Sequence, residues 1–202
     1  MQVFECVLFD TEFTAWVGSK QRNWSKSWEQ RELIQLAAVK LSVSASSVSI
    51  LASFNELIKP TINPQLSDYI TDLTGIEQNM IDELGVDFAS ALTQFHHFCG
   101  QGKLPVYSWG NDLSVLQQNC KLYAVELPEF QQGFHNLQFI ARKLGLAGFE
   151  QSSGALANFH GLSLQGHIHN ALYDVRSVAA TLNMWINKRA LTIENLLFAE
   201  GR

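Results

Sequence analysis

Residues 3–12 read VFECVLFDTE, an apolar run that ends in two acids separated by one residue. The run from Val3 to Phe9 is rich in Val, Leu and Phe, which predicts a buried strand. Side chains alternate along a strand, so Asp10 and Glu12 point to the same face. Neighbouring carboxylates repel unless a proton or a cation lies between them, and hard divalent ions such as Mg²⁺ prefer carboxylate oxygens. The pair predicts either a cation site or, since Asp-x-Glu is a common pattern, merely the surface end of a strand.

Beyond this strand the chain combines strand and helix patterns. Two apolar runs, at 33–41 and 49–58, flank a Ser-rich stretch that predicts a hairpin, and 104–108 predicts a further strand. Helical spacing then dominates, most clearly at 171–188, where apolar residues recur at steps of three and four. The pattern predicts an α/β fold with a mixed sheet. With no repeat or linker, we expect a single domain over 1–202, with a core at about 3–187 and a C-terminal extension at 188–202.

Composition excludes several classes of protein. The chain has 202 residues, 47% of them hydrophobic, which suffices for one buried core. Its apolar runs are far shorter than the roughly 18 to 20 residues of a membrane span, and its start lacks the basic region of a signal peptide, so we expect no membrane association. Three scattered cysteines cannot form a disulfide scaffold, and a net charge of −5 argues against a protein that coats nucleic acid. We therefore expect a cytoplasmic protein.

Three more polar residues stand beside predicted elements. Asp112 follows the strand at 104–108 at or near a helix N-terminus, where an isolated Asp is typical of a helix cap. His169 and Asp174 flank the start of the long C-terminal helix. On one continuous helix they would lie about 140° apart, so they share a cavity only if His169 lies in the approach loop with Asn170 as the N-cap. Alternatively, His169 is a loop histidine bonded to backbone and Asp174 is a first-turn acid.

The order and separation of these residues resemble one family. An Asp-x-Glu at the first strand, an Asp after a later strand and a His-x4-Asp before the last amphipathic helix are similar to the motifs of the DnaQ-like DEDDh exonucleases. The resemblance runs from about Val3 to Asn187 and includes Leu73-Thr74-Gly75-Ile76 and the stretch 156–162. It looks closest to the branch of Eri-like RNA exonucleases.

The resemblance implies a fold, an activity and a set of roles. The fold would be ribonuclease H-like, a mixed five-stranded sheet flanked by helices. The activity would be metal-dependent 3′→5′ hydrolysis at single-stranded 3′ ends of RNA or DNA, releasing nucleoside 5′-monophosphates, with two divalent cations, Mg²⁺ or Mn²⁺, as cofactors. By the resemblance Asp10, Glu12, Asp112 and Asp174 would hold the cations and His169 would be the general base. His167, two residues earlier, does not fit the family spacing.

The segment from Trp16 to Arg31 combines aromatic and basic side chains. It contains three of the five tryptophans and four cations against one acid, Glu29. Stacking and phosphate neutralisation are what single-stranded nucleic acid requires, but indole rings also pack loops onto sheets, and both interpretations stay open. The candidate substrate-binding residues are the neighbouring Phe13 together with Trp16, Trp24, Trp28, Lys20 and Arg22, with Lys26 and Arg31 as further phosphate contacts.

The sequence leaves two other functions and one question of assembly open. A non-catalytic nucleic-acid or protein interaction module on the same fold would lack Mg²⁺-dependent hydrolysis. A carboxylate-pair hydrolase such as a glycosidase would keep its activity in EDTA. The apolar tail at 191–198 fits either a packed final helix or a homodimer contact. The histidines at 96–97 lack the companion ligands of a zinc site.

Overall fold

A mixed five-stranded sheet lies at the centre of the protein. The computed structural model describes residues 3–197. The elements in chain order are β1 (Phe4–Phe13), β2 (Leu33–Val43), β3 (Val48–Leu57), α1 (Asp68–Thr74), α2 (Gln78–Leu84), α3 (Phe88–Phe98), β4 (Val106–Ser108), α4 (Asp112–Leu122), β5 (Phe134–Asn136), α5 (Leu137–Lys143), α6 (Leu156–Phe159), α7 (Ala171–Asn187) and α8 (Ile193–Leu197). The strand order is β3-β2-β1-β4-β5, with β1, β2 and β3 antiparallel and β4 and β5 parallel to β1. The predicted α/β fold with a mixed five-stranded sheet is confirmed.

Helices cover both faces of the sheet, and a separate apolar core lies between the sheet and the helices on each face. Leu8 of β1 belongs to the cluster formed with α7, whereas its neighbours Val7 and Phe9 belong to the cluster formed with α3 and α4. This alternation follows from the period of two along a strand. A third, smaller cluster joins β2 and β3 to α1 and α2. Asp10 and Glu12 also lie on β1, so the same alternation decides which layer of helices their side chains face.

The strands differ from the predicted ones at two places. β1 continues to Phe13, since Glu12 still pairs with Gln35 of β2, so the two acids lie inside a paired strand and not beyond its end. β5 was not predicted because it has only three residues, too few to show an alternating pattern. The predicted hairpin is present, and its serine turn is closed by a hydrogen bond from Ser44 N to Ser47 O of 2.8 Å.

The end of the described chain packs on the main core. Leu191, Ile193 and Leu196 are buried, and the Tyr107 hydroxyl donates to the carbonyl of Leu196 at 2.9 Å. The last residue of the predicted apolar tail, Phe198, lies outside the described residues. A packed helix therefore accounts for residues 193–197, and the homodimer contact stays a prediction.

Two further features concern the cysteines and the helices. Cys6, Cys99 and Cys120 are buried free thiols. Burial raises the pKa of the Cys6 thiol to about 12, which makes it a poor nucleophile.

Between residues 3 and 197, no helix is both long enough and apolar enough to cross a membrane.

Candidate active site

Asp10 and Glu12 lie side by side on one face of β1. Both are buried, and their strand partners on β2 are Ala37 and Gln35. They share the face of Leu8, which packs against α7. The two carboxylates therefore point toward the N-terminal end of that helix and not into bulk solvent.

Asp112 approaches Asp10 and Glu12 from the helix layer that contains α4, on the opposite face of the sheet from α7. It is the first residue of α4, and Thr11, between the two β1 acids, donates its hydroxyl to Asp112 Oδ1 at 2.8 Å. Thr11 points to the α4 side of the sheet because it alternates with Asp10 and Glu12. The hydroxyl thus fixes the third acid against the strand that carries the first two.

Asp174 and His169 complete the cluster from α7 and the loop before it. Asp174 is buried in the first turn of α7, and the His169 backbone N–H donates to its Oδ1 at 3.2 Å. His169 has φ +69°, in the left-handed region, so the chain turns sharply just before the helix. His169 lies in the approach loop and Asn170 is the N-cap residue, which is the condition for His169 and Asp174 to share a cavity, although no side-chain hydrogen bond forms at this cap.

Two residues that no sequence pattern indicated, Ser153 and Gly154, lie against the Asp174 carboxylate. The Ser153 hydroxyl donates to Asp174 Oδ2 at 2.8 Å. The adjacent Gly154 lies so close that a methyl group in place of its hydrogen would collide with Asp174 Oδ1. No spacing pattern links residues about twenty positions apart in a loop and a helix, so no sequence signal pointed to them.

Gln35, also missed, ties the sheet to the start of α7. It is buried opposite Glu12, its Oε1 accepts from the Ala171 backbone N–H at 2.9 Å, and its Nε2 donates to Asn55 Oδ1 at 2.8 Å. One of the free N–H groups of the helix N-terminus is thereby satisfied by the strand beside the acids. The helix start and the acidic strand are consequently fixed relative to each other.

The pKa values of all four acids are raised, by burial first and, for three of them, by the charges of neighbouring acids. Burial, followed by the charges of Asp112, Asp174 and Glu12, raises the pKa of Asp10 well above its usual value, and burial with the charges of Asp174 and Asp112 does the same for Glu12. Burial raises the pKa of Asp112 to about 6 and also raises that of Asp174. Carboxylates forced together away from water bind protons when no cation compensates them. A cation bound at this cluster would therefore relieve the repulsion among the carboxylates.

The donor atoms of this cluster fit a divalent cation. One oxygen each from Glu12 and Asp174 and one ring nitrogen of His169 lie within 4.8 Å of one another. The carboxylate oxygens suit Mg²⁺ or Mn²⁺, which favour oxygen ligands. Asp10 adjoins this group on the β1 face of Glu12, and Asp112 adjoins it through its hydrogen bond with Thr11; besides burial, the charge of Asp174 raises the pKa of both. The five residues singled out in the sequence are thus brought together.

In the segment from Trp16 to Arg31, some side chains are packed or bonded within the protein and others face outward. Trp24 packs on Phe13, with ring centroids 5.5 Å apart, and its indole N–H donates to the carbonyl of Thr14 at 3.1 Å. Arg22 forms an ion pair with the buried Glu29. The Trp24 indole N–H and the Arg22 guanidinium are therefore already bonded within the protein.

Trp28 and Lys26 face outward. The Trp28 residue is 47% exposed and stands edge-on to Trp16 with centroids 4.8 Å apart, and the Lys26 ammonium lies 5.4 Å from the Trp28 ring centre. An exposed ring with a cation beside it is the combination that single strands bind. A role in substrate binding stays a prediction for the whole segment, in which Trp28 is the most exposed of the three tryptophans.

Several known proteins are similar to this chain in sequence or in fold. The family RNase_T, described as exonuclease, matches residues 7–182. The 3′-5′ exonuclease crn-4 of Caenorhabditis elegans is 28% identical over 180 residues, 82% of this chain and 60% of crn-4. ERI1 exoribonuclease 2 of Xenopus laevis is 26% identical over 202 residues, 88% of this chain and 28% of that relative.

One solved structure covers almost the whole chain. The nuclease domain of 3′hExo, a DEDDh family member bound to rAMP, superposes with a TM-score of 0.74 at 21% identity, covering 98% of this chain and 94% of that one. This match confirms the ribonuclease H-like fold. The chain spans less than two thirds of the length of the two curated relatives above.

Proposed function

The chain belongs to the RNase_T exonuclease family, and we propose that it is a metal-dependent 3′→5′ exonuclease of the DEDDh, Eri-like type acting on single-stranded 3′ ends. The observation that carries this proposal is the convergence of four acids and one histidine on a single cluster. They arrive from β1, α4, α7 and the loop before α7. The four acids come from distant parts of the sequence and meet here with raised pKa values, which is typical of functional sites.

The residues divide into those that would hold cations and one that would move a proton. Two divalent cations, when bound, activate a water molecule and stabilise the departing oxygen. Asp10, Glu12, Asp112 and Asp174 would hold them, in the roles implied by the family resemblance. A ring nitrogen of His169 would accept the proton of the attacking water, a task suited to imidazole near neutral pH. A P–O bond to water forms and the bond to the 3′ oxygen breaks, giving a nucleoside 5′-monophosphate and a shortened strand with a free 3′ hydroxyl.

The test is digestion of matched 5′-labelled RNA and DNA oligonucleotides with Mg²⁺ or Mn²⁺, and with EDTA. We expect a ladder that shortens from the 3′ end, disappears in EDTA and is absent for Asp10→Asn. The Asn side chain has nearly the same shape, so loss of activity reports the charge. Hydrolysis that survives EDTA would indicate another kind of carboxylate hydrolase. No hydrolysis with either metal would leave a non-catalytic interaction module.

Substrate capture by the Trp16 to Arg31 segment belongs to the same proposal. Stacking contributes about 1 to 3 kcal/mol per base, so Trp28→Ala should weaken oligonucleotide binding about tenfold at an unchanged melting temperature. Trp24→Ala should instead lower the melting temperature, because its ring packs on Phe13. If Trp28→Ala binds normally, the segment has only a structural role.

We also propose a cytoplasmic setting. Its support is the state of the three cysteines, which are free and buried. Unpaired thiols are typical of reducing compartments. Fluorescent tagging of the full-length protein in its own cells would test this.

A further inference from the structure

A cleft beside the catalytic cluster contains an exposed aromatic ring and a cation that the proposed chemistry does not use. It has a volume of about 260 Å³ and opens beside α5, the short helix after β5. This is below the roughly 300 to 1,000 Å³ of pockets that enclose a whole drug-sized ligand, so it suits one flat ring. The lining residues are Asn136, Gln138, Phe139, Arg142, Phe149 and Glu150.

Phe139 is held in place although it is 46% exposed. The Asn136 side chain accepts from the Phe139 backbone N–H at 3.0 Å and so caps the helix. Its helix neighbours Leu137, Ile140 and Ala141 are buried, which turns Phe139 to the outside. The Arg142 guanidinium lies 5.4 Å from the centre of the Phe139 ring. The result is an exposed ring on a capped helix turn, with a cation next to it.

The register of the sheet places this cleft at the same edge as the acids. Phe9, the residue before Asp10, pairs with Ser108 of β4, and Ser108 pairs with Asn136 of β5. Neighbouring strands are about 4.8 Å apart, so the cleft begins about 10 Å from the catalytic strand. All three strands are parallel; β4 and β5 end here, whereas β1 continues to Phe13. The carboxyl ends of parallel strands are where α/β proteins bind ligands.

The loop between the cleft and Asp174 is fixed at several points. Gln138 Nε2 donates to the carbonyl of Phe149 at 3.0 Å, and the Trp109 indole N–H donates to the carbonyl of Gln151 at 2.9 Å. Two residues further on, Ser153 holds Asp174. These hydrogen bonds fix the distance between the cleft and the acids at which a substrate strand would bind.

We propose that this cleft binds a base of the substrate strand at least two nucleotides upstream of the 3′-terminal one, beyond the reach of a dinucleotide, with the base stacked on Phe139 and a backbone phosphate beside Arg142. Glu150, on the cleft wall, would repel a phosphate, so the uncharged base takes the interior and the phosphate takes the Arg142 end. Stacking is tolerant of sequence, so the site favours longer strands and not particular bases. The inference rests on the proposed function, because it assumes a single-stranded substrate.

The experiment compares a dinucleotide with a hexanucleotide, because only the longer strand reaches the cleft. Phe139→Ala should raise KM for the hexanucleotide about 5- to 100-fold and leave kcat/KM for the dinucleotide unchanged. Phe139→Tyr, which keeps the ring, should behave like wild type. Phe159→Ala is the matched control, since Phe159 is 52% exposed but does not line the cleft. Melting temperatures of all variants identify any loss due to unfolding.

A binding measurement distinguishes a failure of this inference from a failure of the proposed function. Anisotropy of a labelled hexanucleotide in EDTA measures binding without metal-dependent hydrolysis, and Phe139→Ala should weaken it by the same factor. Arg142→Gln should flatten the log-log salt dependence of binding by about 0.7, the value for one phosphate contact. Normal hexanucleotide binding by Phe139→Ala, or equal losses with both lengths, would overturn the inference. Absence of hydrolysis by the wild type, with the Phe139 effect on binding intact, would overturn only the proposed function.

Discussion

Replacing Asp112 by Asn should stabilise the metal-free protein at neutral pH. Burial raises the pKa of Asp112 from its ordinary value of 3.8 to about 6 in the folded state. The folded protein therefore binds this proton more tightly than the unfolded chain does, and stability falls as pH rises from about 4 to about 6. At 1.36 kcal/mol per pH unit, the interval corresponds to at most about 3 kcal/mol above pH 6. For a domain of this size that is about 6 to 12 °C in melting temperature.

The substitution removes the charge and keeps the contact. The Asn side-chain oxygen can still accept from the Thr11 hydroxyl, which donates to Asp112 Oδ1. In EDTA the variant should melt higher than the wild type at pH 7.5, and the difference should shrink as pH falls toward 4. Mg²⁺ or Mn²⁺ should raise the melting temperature of the wild type more than that of the variant, by mass action at the metal site.

Asp87→Asn is the matched control with the opposite sign. Asp87 caps α3, and its hydrogen bonds with Ser90 lower its pKa. Its neutralisation should lower stability at pH 7.5 and not raise it. Thermal unfolding of the three proteins between pH 5 and 7.5, with EDTA or metal, checks both signs. If Asp112→Asn melts below the wild type in EDTA at pH 7.5, the electrostatic account of the cluster is wrong.

Three other substitutions test the residues around the cluster. His169→Ala should slow hydrolysis about 10²- to 10⁴-fold while metal binding measured by calorimetry persists, and the exposed His167 should tolerate Ala with a much smaller effect; the reverse order would reassign the base. Ser153→Ala should weaken Mn²⁺ binding about 10- to 100-fold, the usual effect of losing a partner of a metal ligand, whereas the neighbouring Ser152→Ala should bind normally; equal affinities would show that the hydroxyl does not orient the carboxylate. Gly154→Ala should abolish Mn²⁺ binding at a modest change in melting temperature, because the new methyl group would displace the adjacent carboxylate; normal binding in calorimetry would contradict this.

Much of the architecture could be read from local patterns. The shared face of Asp10 and Glu12 follows from the period of two along a strand, whatever the rest of the fold does. The β2–β3 hairpin follows from two apolar runs around serines, and α7 from its apolar spacing. The set of five site residues was a different case: spacing left their roles open, and only the resemblance to a family selected them.

Other features depend on contacts between distant parts of the chain. β5 is a strand only because β4 offers it a partner, and three residues carry no pattern of their own. The hydrogen bond from Thr11 to Asp112 joins residues 101 positions apart. Neither the spacing nor the type of these residues indicates that they meet.

The sequence by itself determined which residues are acidic, which face of β1 two of them share, and which helix and loop carry His169 and Asp174. Those properties come from covalent geometry and from periodicity within one element. Only the tertiary structure decided that Ser153 holds Asp174, that Gln35 anchors α7, and that Phe139 lies at the sheet edge of the acids. Such contacts depend on how separate elements pack, because burial forces each polar group to find a partner wherever the fold has placed one.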